Sequence, residues 1–412
     1  MGKAAILLVV GTGLLLLWSG RDLSDNSVTA YDNAMDYYEG GVTRYIAIAG
    51  ANMAANQIFL TPPNLNGYGW WAGYTSPVSF AGGKFTVIID STSSVDPITG
   101  QRRLTLKSTA VYRDSTFTVR VILRPSNFAK FAFYAGASGA SDAYWATGDS
   151  AFGPVHSEGF LRTTGTPYFG GKVTTLNGID STSWSGHPIF NAGVESGVSI
   201  PMNKSYQGLG TAAAAAGGKK FTGNDDLYLN FAGDSIKYHR ASNPDTTRLL
   251  SSWCPNGAIA LTTGTGTVHV QGTVKGHYTV GALDSSGSAG RVVIDGNLTY
   301  NSDPRTTPTS TDMLGIVAWN DINIKDNGSS YFTVMASLFS YTNAVTVENY
   351  DSRAKGTLYT LGGWTVQKVA ATSSSDLSHG YSVMIQFDSR FASSSPPYFP
   401  GTNAYEILAW YE

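Results

Sequence analysis

The residues with the greatest chemical potential are a set of scattered histidines. His269 and His277 are close enough in sequence to lie on neighbouring coils of a repetitive β structure, yet no acidic or cysteine residues accompany them at zinc-like spacing. Ordinary structural or surface roles are therefore expected for the histidines, and no metal site is predicted. The full set is His156, His187, His239, His269, His277 and His379.

One histidine has carboxylates near it in sequence. His156 lies between Asp149 and Glu158, a combination that would suit acid–base chemistry. The neighbouring Gly153-Pro154 pair favours a turn instead, with the three side chains forming a stabilising network. We therefore predict no catalytic residues, no cofactor and no enzymatic activity.

Two acidic loops and a group of aromatic residues have binding interpretations. Asn224-Asp225-Asp226 and the loop from Asp284 lack the spaced carboxylates of a strong calcium motif, so solvated turns are favoured. Exposed aromatic rings would suit sugar stacking, but filling the core or subunit contacts is the favoured role. These aromatic residues are Trp70, Trp71, Tyr144, Trp145, Trp364, Trp410 and Tyr411.

The composition excludes some partners. The 412-residue chain has 14% charged residues and a net charge of -2, which leaves no basic footprint for nucleic acid. Low charge with abundant glycine, serine, threonine and tyrosine favours a β-rich body with neutral surfaces. Cys254 is the single cysteine, so an intrachain disulfide cannot form, and a buried, inert thiol is expected.

The elements that organise these residues begin with an apolar segment. No charge occurs between Lys3 and Arg21, and burying ten large side chains there yields on the order of 15 to 30 kcal/mol gross. Association costs about 4 to 15 kcal/mol, so the segment is expected in lipid or packed against copies of itself. The predicted filament-core residues are Ile6, Leu7, Leu8, Val9, Val10, Leu14, Leu15, Leu16, Leu17 and Trp18.

A helical pattern continues beyond this segment. Apolar residues recur every three or four positions, which predicts a helix from Ala4 to Leu60, about 85 Å long at about 1.5 Å per residue. Pro62 and Pro63 would stop it, giving a stalk domain over 1–61. The face expected to pack on the globular head is Val28, Tyr31, Met35, Tyr38, Val42, Tyr45, Ala49 and Met53.

The rest of the chain is predicted to be β structure. Alternation in Lys84–Asp90, Arg103–Arg113 and Thr116–Arg124, with a loop at Ser91–Gln101, predicts an antiparallel sheet head over 62–140. Short apolar runs separated by glycine then favour a β-solenoid body over 141–412, with a β-sandwich as the alternative. The predicted fold class is α+β, mostly β.

Several segments resemble a known family. Arg44–Ala54 looks like the end of the stalk helix in bacterial type IV pilin-like proteins of the accessory kind. Thr147–Gly159, Gly165–Val173, Asp312–Ala318 and Ser395–Pro400 look like segments of bacterial surface proteins with a pilin-like N-terminus. The resemblance implies export and filament or surface assembly, with no catalytic residues to carry over.

The chain departs from major pilins at one position. They place a glutamate five residues into the mature helix, where this chain has Ala5, or Leu7 if Gly2 precedes a prepilin-peptidase cut. Standard assembly chemistry is therefore in doubt, although apolar packing would still drive association.

The sequence thus predicts a homo-oligomeric helical filament on the cell surface. Its precursor would be inserted in the inner membrane and used by a type IV pilus-type assembly machinery. The alternatives are a membrane-tethered binding or carbohydrate-active solenoid and a minor or tip pilin.

Overall fold

The computed structural model describes residues 2–60, 71–90, 103–136, 143–181, 187–202 and 208–412, apart from the Asn403 side chain. The chain divides into two compact units. The first, here the head unit, combines the N-terminal helix with a sheet, and the second, the body unit, is inserted into it over Pro125–Ala404. A long helix followed by mostly β structure confirms the predicted fold class.

The chain opens with one long helix, α1 (Lys3–Leu60), which begins one residue before the predicted start and ends at the predicted residue. Leucine, alanine and other residues of good helix propensity fill its interior, and none of its residues is proline. Pro62, Pro63 and the predicted loop Ser91–Gln101 lie outside the described residues.

The face by which α1 packs differs from the predicted one. Val28, Tyr31, Tyr38 and Tyr45 are 56 to 73% exposed and Met53 is 39% exposed, whereas Met35, Val42 and Ala49 are half-buried. The helix packs mainly through a neighbouring stripe of mostly smaller side chains, and Val42 of the predicted face adds a partly buried contact with the head core. That stripe is Thr43, Ile46, Ala47, Gly50, Ala51, Ala54 and Ile58.

The close approach of the helix to the sheet explains why the stripe of small residues packs there. A Cβ built on Gly50 would lie 2.7 Å from both a Phe85 ring carbon and Ser108 Oγ, so the sheet fills the space that a side chain would need. The large side chains at this contact come from the sheet: Phe85, Leu106 and Val121 are fully buried against the helix. Small residues on the helix therefore complement large residues on the sheet.

Two glycine-to-alanine changes in this helix are expected to have opposite effects. Gly50→Ala should destabilise the head unit by about 1–3 kcal/mol because the added methyl group overpacks the contact with Phe85. Gly41→Ala has open space around its Cβ and should stabilise by about 0.5–1 kcal/mol through helix propensity. Urea unfolding followed through head-unit fluorescence measures both, and equal shifts would contradict the packing argument.

The sheet of the head unit follows the predicted alternation. Phe85 and Val87 on one strand, and Val119 and Val121 on another, point inward, while Arg120 faces out. β1 pairs with β2, β2 with β3 and β3 with β4, all antiparallel. The strands are β1 (Val78–Phe80), β2 (Gly83–Asp90), β3 (Leu104–Tyr112) and β4 (Ser115–Asn127).

The described part of the body unit consists mainly of short strands, together with the α-helices α2 (Gly208–Ala214) and α3 (Leu250–Trp253). The described strands are β5 (Phe133–Ala135), β6 (Ser150–Phe152), β7 (Val155–Ser157), β8 (Phe160–Arg162), β9 (Tyr168–Phe169), β10 (Val173–Thr175), β11 (Gly178–Asp180), β12 (Ile189–Phe190), β13 (Val194–Ser196), β14 (Lys219–Thr222), β15 (Leu227–Gly233), β16 (Ser235–Arg240), β17 (Thr246–Leu249), β18 (Ala258–Thr263), β19 (Val268–Val274), β20 (His277–Ala282), β21 (Val292–Tyr300), β22 (Met313–Ala318), β23 (Ile322–Ile324), β24 (Tyr331–Ser340), β25 (Val345–Val347), β26 (Gly356–Val366) and β27 (Tyr381–Gln386).

Most of these strands stack as coils with parallel registers. One inward ladder passes from β15 through β19, β21 and β23 to β25, and each of its residues is buried. Each coil thus covers the apolar residues of the next, an arrangement that the pairings favour over a sandwich of antiparallel sheets. The ladder is Leu229, Val270, Ile294, Ile324 and Val347.

The chain enters this stack in the middle, winds to one end, and then completes the stack from the other end. It enters beside β26 at β5 and proceeds outward through β7 and β10 to β13. It then resumes at β14 and returns through β18, β20, β22 and β24 to β26. The first and last coils of the body unit are therefore neighbours.

The final strand, β28 (Gly401–Tyr411), belongs to the head sheet, whose order is β1-β2-β3-β4-β28. Arg124 donates to Glu406 at 2.6 Å, and the Arg120 guanidinium lies 4.5 Å from the centre of the Tyr411 ring. The predicted domain boundaries, 62–140 and 141–412, therefore differ from the structure, in which the body is an insertion between two strands of the head.

Candidate assembly interface

The first third of α1 presents its apolar side chains to solvent in the single chain. All ten predicted filament-core residues, from Ile6 to Trp18, are 52 to 73% exposed. By length and composition the helix could cross a membrane, a test that signal sequences also pass. A continuous apolar surface of this length is typical of an interaction site.

The hydroxyl groups of Thr12 and Ser19 in this part of α1 are satisfied by the helix itself. Thr12 Oγ1 donates to the Leu8 carbonyl at 2.8 Å, and Ser19 Oγ donates to the Leu16 carbonyl at 3.3 Å. Hydroxyl groups bonded in this way need no water, so their burial costs less than that of unpaired hydroxyls. The segment is therefore suited to lipid or to a dry helix bundle.

A second exposed stripe extends the apolar surface toward the head sheet. Val28, Tyr31, Tyr38, Tyr45 and Met53 are its exposed members, and their spacings of three, seven, seven and eight residues are close to whole numbers of helical turns, which places them along one seam of the helix. The helix thus has one stripe that packs on its own sheet and another that is open to a neighbour.

Two ion pairs mark where α1 becomes tied to its own head unit. Arg113 donates to Glu39 at 2.8 Å, and Arg44 pairs with Glu412 of β28. Nearer the N-terminus, Arg21 and Asp25 are 3.9 Å apart but 80 and 72% exposed, so that pair adds little stability. The free part of the helix therefore ends near Glu39.

The structure brings His156 and Glu158 together in a buried network. His156 Nε2 and Glu158 Oε1 are 3.1 Å apart, and His156 Nδ1 is 2.8 Å from Thr174 Oγ1. Glu158 also accepts from Ser199 Oγ at 3.1 Å and from the Ile200 amide. The network fixes the chain just beyond β13, which supports the predicted stabilising role over acid–base chemistry.

Burial shifts the pKa values of His156 and of the neighbouring Tyr134. The His156 ring is fully buried, which lowers its pKa, and the hydrogen bond and charge of Glu158 oppose that shift. Tyr134 stacks on His156 with ring centres 5.3 Å apart, and its burial raises the pKa of its hydroxyl well above the ordinary value. The His156 ring is therefore closed off from solvent within the fold.

Asp149, the third residue of the predicted group, has different partners. Its two carboxylate oxygens accept from the Ala146 and Val383 amides, both at 2.8 Å. Burial raises the pKa of Asp149 to about 6, although both amide bonds favour the charged form. The residue therefore links the turn before β6 to β27.

The raised pKa of Asp149 predicts a dependence of stability on pH. Between about pH 4 and pH 6 the native Asp149 binds a proton that the unfolded chain has released, so the free energy of unfolding should fall as pH rises. A shift of about two units corresponds to about 3 kcal/mol. Urea unfolding should show that the free energy of unfolding falls less between pH 4.5 and pH 7 in Asp149→Asn than in the wild type. Identical falls in the two proteins would contradict the assignment of this pH dependence to Asp149.

The two acidic loops use their oxygens within the fold. Asn224 Oδ1 accepts from the Thr265 amide at 3.1 Å, and Asp226 Oδ1 accepts from the Thr267 amide at 2.8 Å, so both tie one coil to the next. Asp284 accepts from the Gly264 amide and from Ser286. Among the described residues, no group of three or more histidine, cysteine, aspartate or glutamate side chains is placed to hold a metal ion.

Other histidines form a surface stack that the sequence analysis did not foresee. Tyr228 lies between His239 and His269, with ring centres 4.5 and 4.3 Å away and nearly parallel planes. Asp245 and Asp295 bind the Nδ1 atoms of the two histidines at 2.8 and 3.0 Å. His269 and His277, expected on neighbouring coils, lie on β19 and β20. Only the strand registers reveal the stack, since His239 and Tyr228 lie 30 and 41 positions before His269 in the sequence.

The predicted aromatic group divides between the two units. Trp71 and Trp410 pack against the head core, whereas Tyr144, Trp145 and Trp364 line a cavity in the body unit. That cavity has a volume of about 30 Å³, room for one or two water molecules and too little for a sugar ring. Trp70 lies outside the described residues.

The single thiol is buried within the body core. Cys254 is fully buried, and burial raises its pKa to about 11, so the unreactive protonated form dominates at neutral pH. This agrees with the expected inert thiol.

No protein-family model matches the chain, and no curated protein matches it. Among solved structures, the chain is similar to the crystal structure of the competence-associated pilin ComZ from Thermus thermophilus. The identity is 12%, the alignment covers 90% of this chain and 96% of that chain, and the TM-score is 0.35. The long N-terminal helix, apolar over its first third, fits a pilin-like protein.

Proposed function

We propose that this chain is a structural subunit of an extracellular, pilus-like filament. Its apolar N-terminal helices would bundle as the filament core, and the β-rich bodies would lie outside. From its parallel coil-to-coil registers we infer that the body is a β-solenoid. We assign the subunit no catalytic role, since assembly is the whole of its mechanism.

One observation carries this proposal: the exposure, in the single chain, of the ten large apolar side chains between Ile6 and Trp18. Burying these ten side chains against neighbours would contribute on the order of 15 to 30 kcal/mol before the costs of association. Those costs are about 4 to 15 kcal/mol, so helix bundling leaves a favourable balance.

Before assembly, the same run would hold the subunit in the inner membrane. The uncharged stretch from Ala4 to Gly20 is close to the shortest length that spans a bilayer. A pilus-type machinery would extract the subunit, and its helix would exchange lipid contacts for contacts with other helices. This transfer keeps the apolar surface out of water throughout.

The second stripe would extend the contact between neighbouring subunits. Its exposed tyrosines, Tyr31, Tyr38 and Tyr45, combine apolar rings with hydroxyl groups that reach water at the edge of an interface. These residues were predicted to pack on the head of their own subunit, and we propose instead that they contact neighbouring subunits.

Electron microscopy of the native particle tests the proposal. A helical repeat with a central bundle of α1 helices is the expected result. Single copies anchored in membrane, with no ordered contact between N-termini, would overturn the proposal in favour of a tethered binding protein. A few copies at the end of another fibre would instead assign the chain as a minor or tip pilin.

A further inference from the structure

A surface asparagine on the body unit has the sequence surroundings of a glycosylation site. Asp295-Gly296-Asn297-Leu298-Thr299 contains the Asn-x-Thr acceptor motif. An acidic residue, Asp295, lies two positions before the asparagine, where its carboxylate could pair with a cationic group of a transferase. We propose that Asn297 is an acceptor for an N-linked oligosaccharide, a proposal that depends on export but not on filament formation.

The local backbone displays Asn297 to solvent. β21 pairs with β19 at Val270–Ile294 and resumes at Gly272–Leu298, so three residues, 295–297, stand opposite Gln271 alone. This bulge pushes the three residues out of the parallel ladder at a corner of the coil, and Asn297 is exposed there.

The hydrogen bonds of Asn297 leave the reactive atom available. Its Oδ1 accepts from the Thr333 amide at 2.9 Å, and since that amide is a donor, the amide orientation of Asn297 is fixed. Its Nδ2 has no hydrogen-bond partner among the described residues. A glycan on Nδ2 would therefore leave the contact with Thr333 intact.

The positions that follow Asn297 determine when transfer can occur. Leu298 is fully buried and lies opposite Val334, and Thr299 Oγ1 is 3.2 Å from Thr273 Oγ1 within the coil. A transferase could not bind these two residues in the closed coil. Transfer must therefore precede closure of the coil, while the exported chain is still unfolded.

The reaction itself balances with one co-reactant, a lipid-pyrophosphate-linked oligosaccharide. Asn297 Nδ2 forms a bond to the anomeric carbon of the first sugar, the bond from that carbon to the pyrophosphate oxygen breaks, and the lipid pyrophosphate leaves. Nδ2 loses one proton to a base of the transferase. No oxidation or reduction takes place.

The chain provides an internal comparison. Asn327-Gly328-Ser329 is also an acceptor motif, and Asn327 is exposed, but Lys325 occupies the position of the acidic residue. A third motif begins at Asn203, outside the described residues. A transferase that requires the acidic residue should therefore modify Asn297 and not Asn327.

Mass spectrometry of the full chain tests the site. The chain would be exported by a bacterium with an active oligosaccharyltransferase and a known acceptor protein, then digested with trypsin. Peptide 292–305 should carry the added glycan mass, and peptide 326–353 should not. Asn297→Gln, Asp295→Ala and Thr299→Ala should abolish the addition, whereas Thr299→Ser, which keeps the hydroxyl, should retain it.

Two outcomes would overturn the proposal. One is an unmodified 292–305 peptide from exported chain while the known acceptor is modified; the other is a mass addition that persists in Asn297→Gln. Near-native thermal unfolding of Thr299→Ser and Asn297→Gln would exclude misfolding as the cause. Fibres without the glycan would refute only the glycosylation site, and glycosylated chains without fibres would refute only the filament.

Discussion

Replacing Leu15 and Leu16 together by aspartate is expected to abolish fibres and to leave the sheet and body folded. Leu15 and Leu16 are 66 and 72% exposed in the single chain, so the folded protomer loses no packing when they change. In a filament or a bilayer, by contrast, both positions would be buried. The substitution therefore separates the stability of the subunit from its assembly.

The expected size of the effect follows from the cost of burying charge. Each aspartate costs about 2.5 to 3.5 kcal/mol near the centre of a membrane helix, and a comparable dry bundle offers no positive partner between Lys3 and Arg21. Two such changes add about 5 to 7 kcal/mol per subunit. A loss of that size at every subunit contact should prevent polymerisation.

Two control variants isolate the role of the apolar segment. Leu15→Ile with Leu16→Met keeps the apolar volume and should assemble. Ser24→Asp with Asn26→Asp adds the same two carboxyl groups to an exposed polar part of α1 and should retain fibres. Electron microscopy and sedimentation report assembly, and circular dichroism reports folding. Intact fibres from the Leu15→Asp, Leu16→Asp variant would refute the assignment of the apolar N-terminal helices as the filament core.

Local sequence patterns were sufficient to predict the elements of the head unit. The apolar period of three and four residues predicted α1 to within a residue at its start, and the strict alternation in Thr116–Arg124 predicted a strand with one buried face. Both signals depend only on neighbours along the chain. They are reliable because each element is long.

The face by which α1 packs was not predictable in the same way. The stripe with the larger side chains gave the stronger apolar signal, but contact with the sheet is decided by fit. Gly50 and Ala51 pack because Phe85 occupies the space above them, and that residue is 35 positions away in sequence. Shape complementarity between distant segments leaves no local pattern.

Local sequence patterns also do not show that the body unit is inserted between two strands of the head. The run Gly401–Tyr411 alternates no differently from a strand of the body, yet it joins β4 across more than 270 residues. Likewise, the return of the chain from β13 to β14 at the other end of the stack depends on which strands pair. Pairing between strands that are distant in sequence forms slowly, and it leaves no pattern in the sequence of either strand.

The predicted sites differ in how far apart in sequence their contacting residues lie. His156 and Glu158 are two positions apart on one extended segment, so their contact was within reach of the sequence. The link from Asp149 to Val383 joins residues more than 230 positions apart, and no spacing rule anticipates it. The exposed apolar segment of α1 was the clearest signal, because a long uncharged run needs no partner residue to be recognised.

Excising the body unit is expected to leave a folded head. In this variant an Asn-Gly turn replaces residues 126–402 and joins β4 directly to β28 as a hairpin. Asn-Gly suits a two-residue connection because both residues tolerate the positive φ of a type I′ turn. The head should keep its helix and sheet, and fibres should still form because α1 is unchanged.

The structure supports this result at the two points where the chain crosses between units. The Phe128 amide donates to the Pro400 carbonyl at 3.0 Å, and Thr402 Oγ1 donates to the Ser126 carbonyl at 3.3 Å. The incoming and outgoing segments are therefore adjacent, and the folded body acts on the head sheet as a long turn would. A short turn should replace it without altering the register of β4 and β28.

A truncation that ends the chain at Asn127 is the matched control. It also lacks the body, but it loses β28 as well, with the Arg124–Glu406 ion pair and the packing of Tyr405 and Trp410 on the head core. An unpaired β4 edge should then promote aggregation. Circular dichroism and urea unfolding should show a cooperative head in the excision variant and a loss of several kcal/mol in the truncation. If both variants were equally unfolded, the head would depend on the body for its stability, and the insertion would have to be regarded as part of one folding unit.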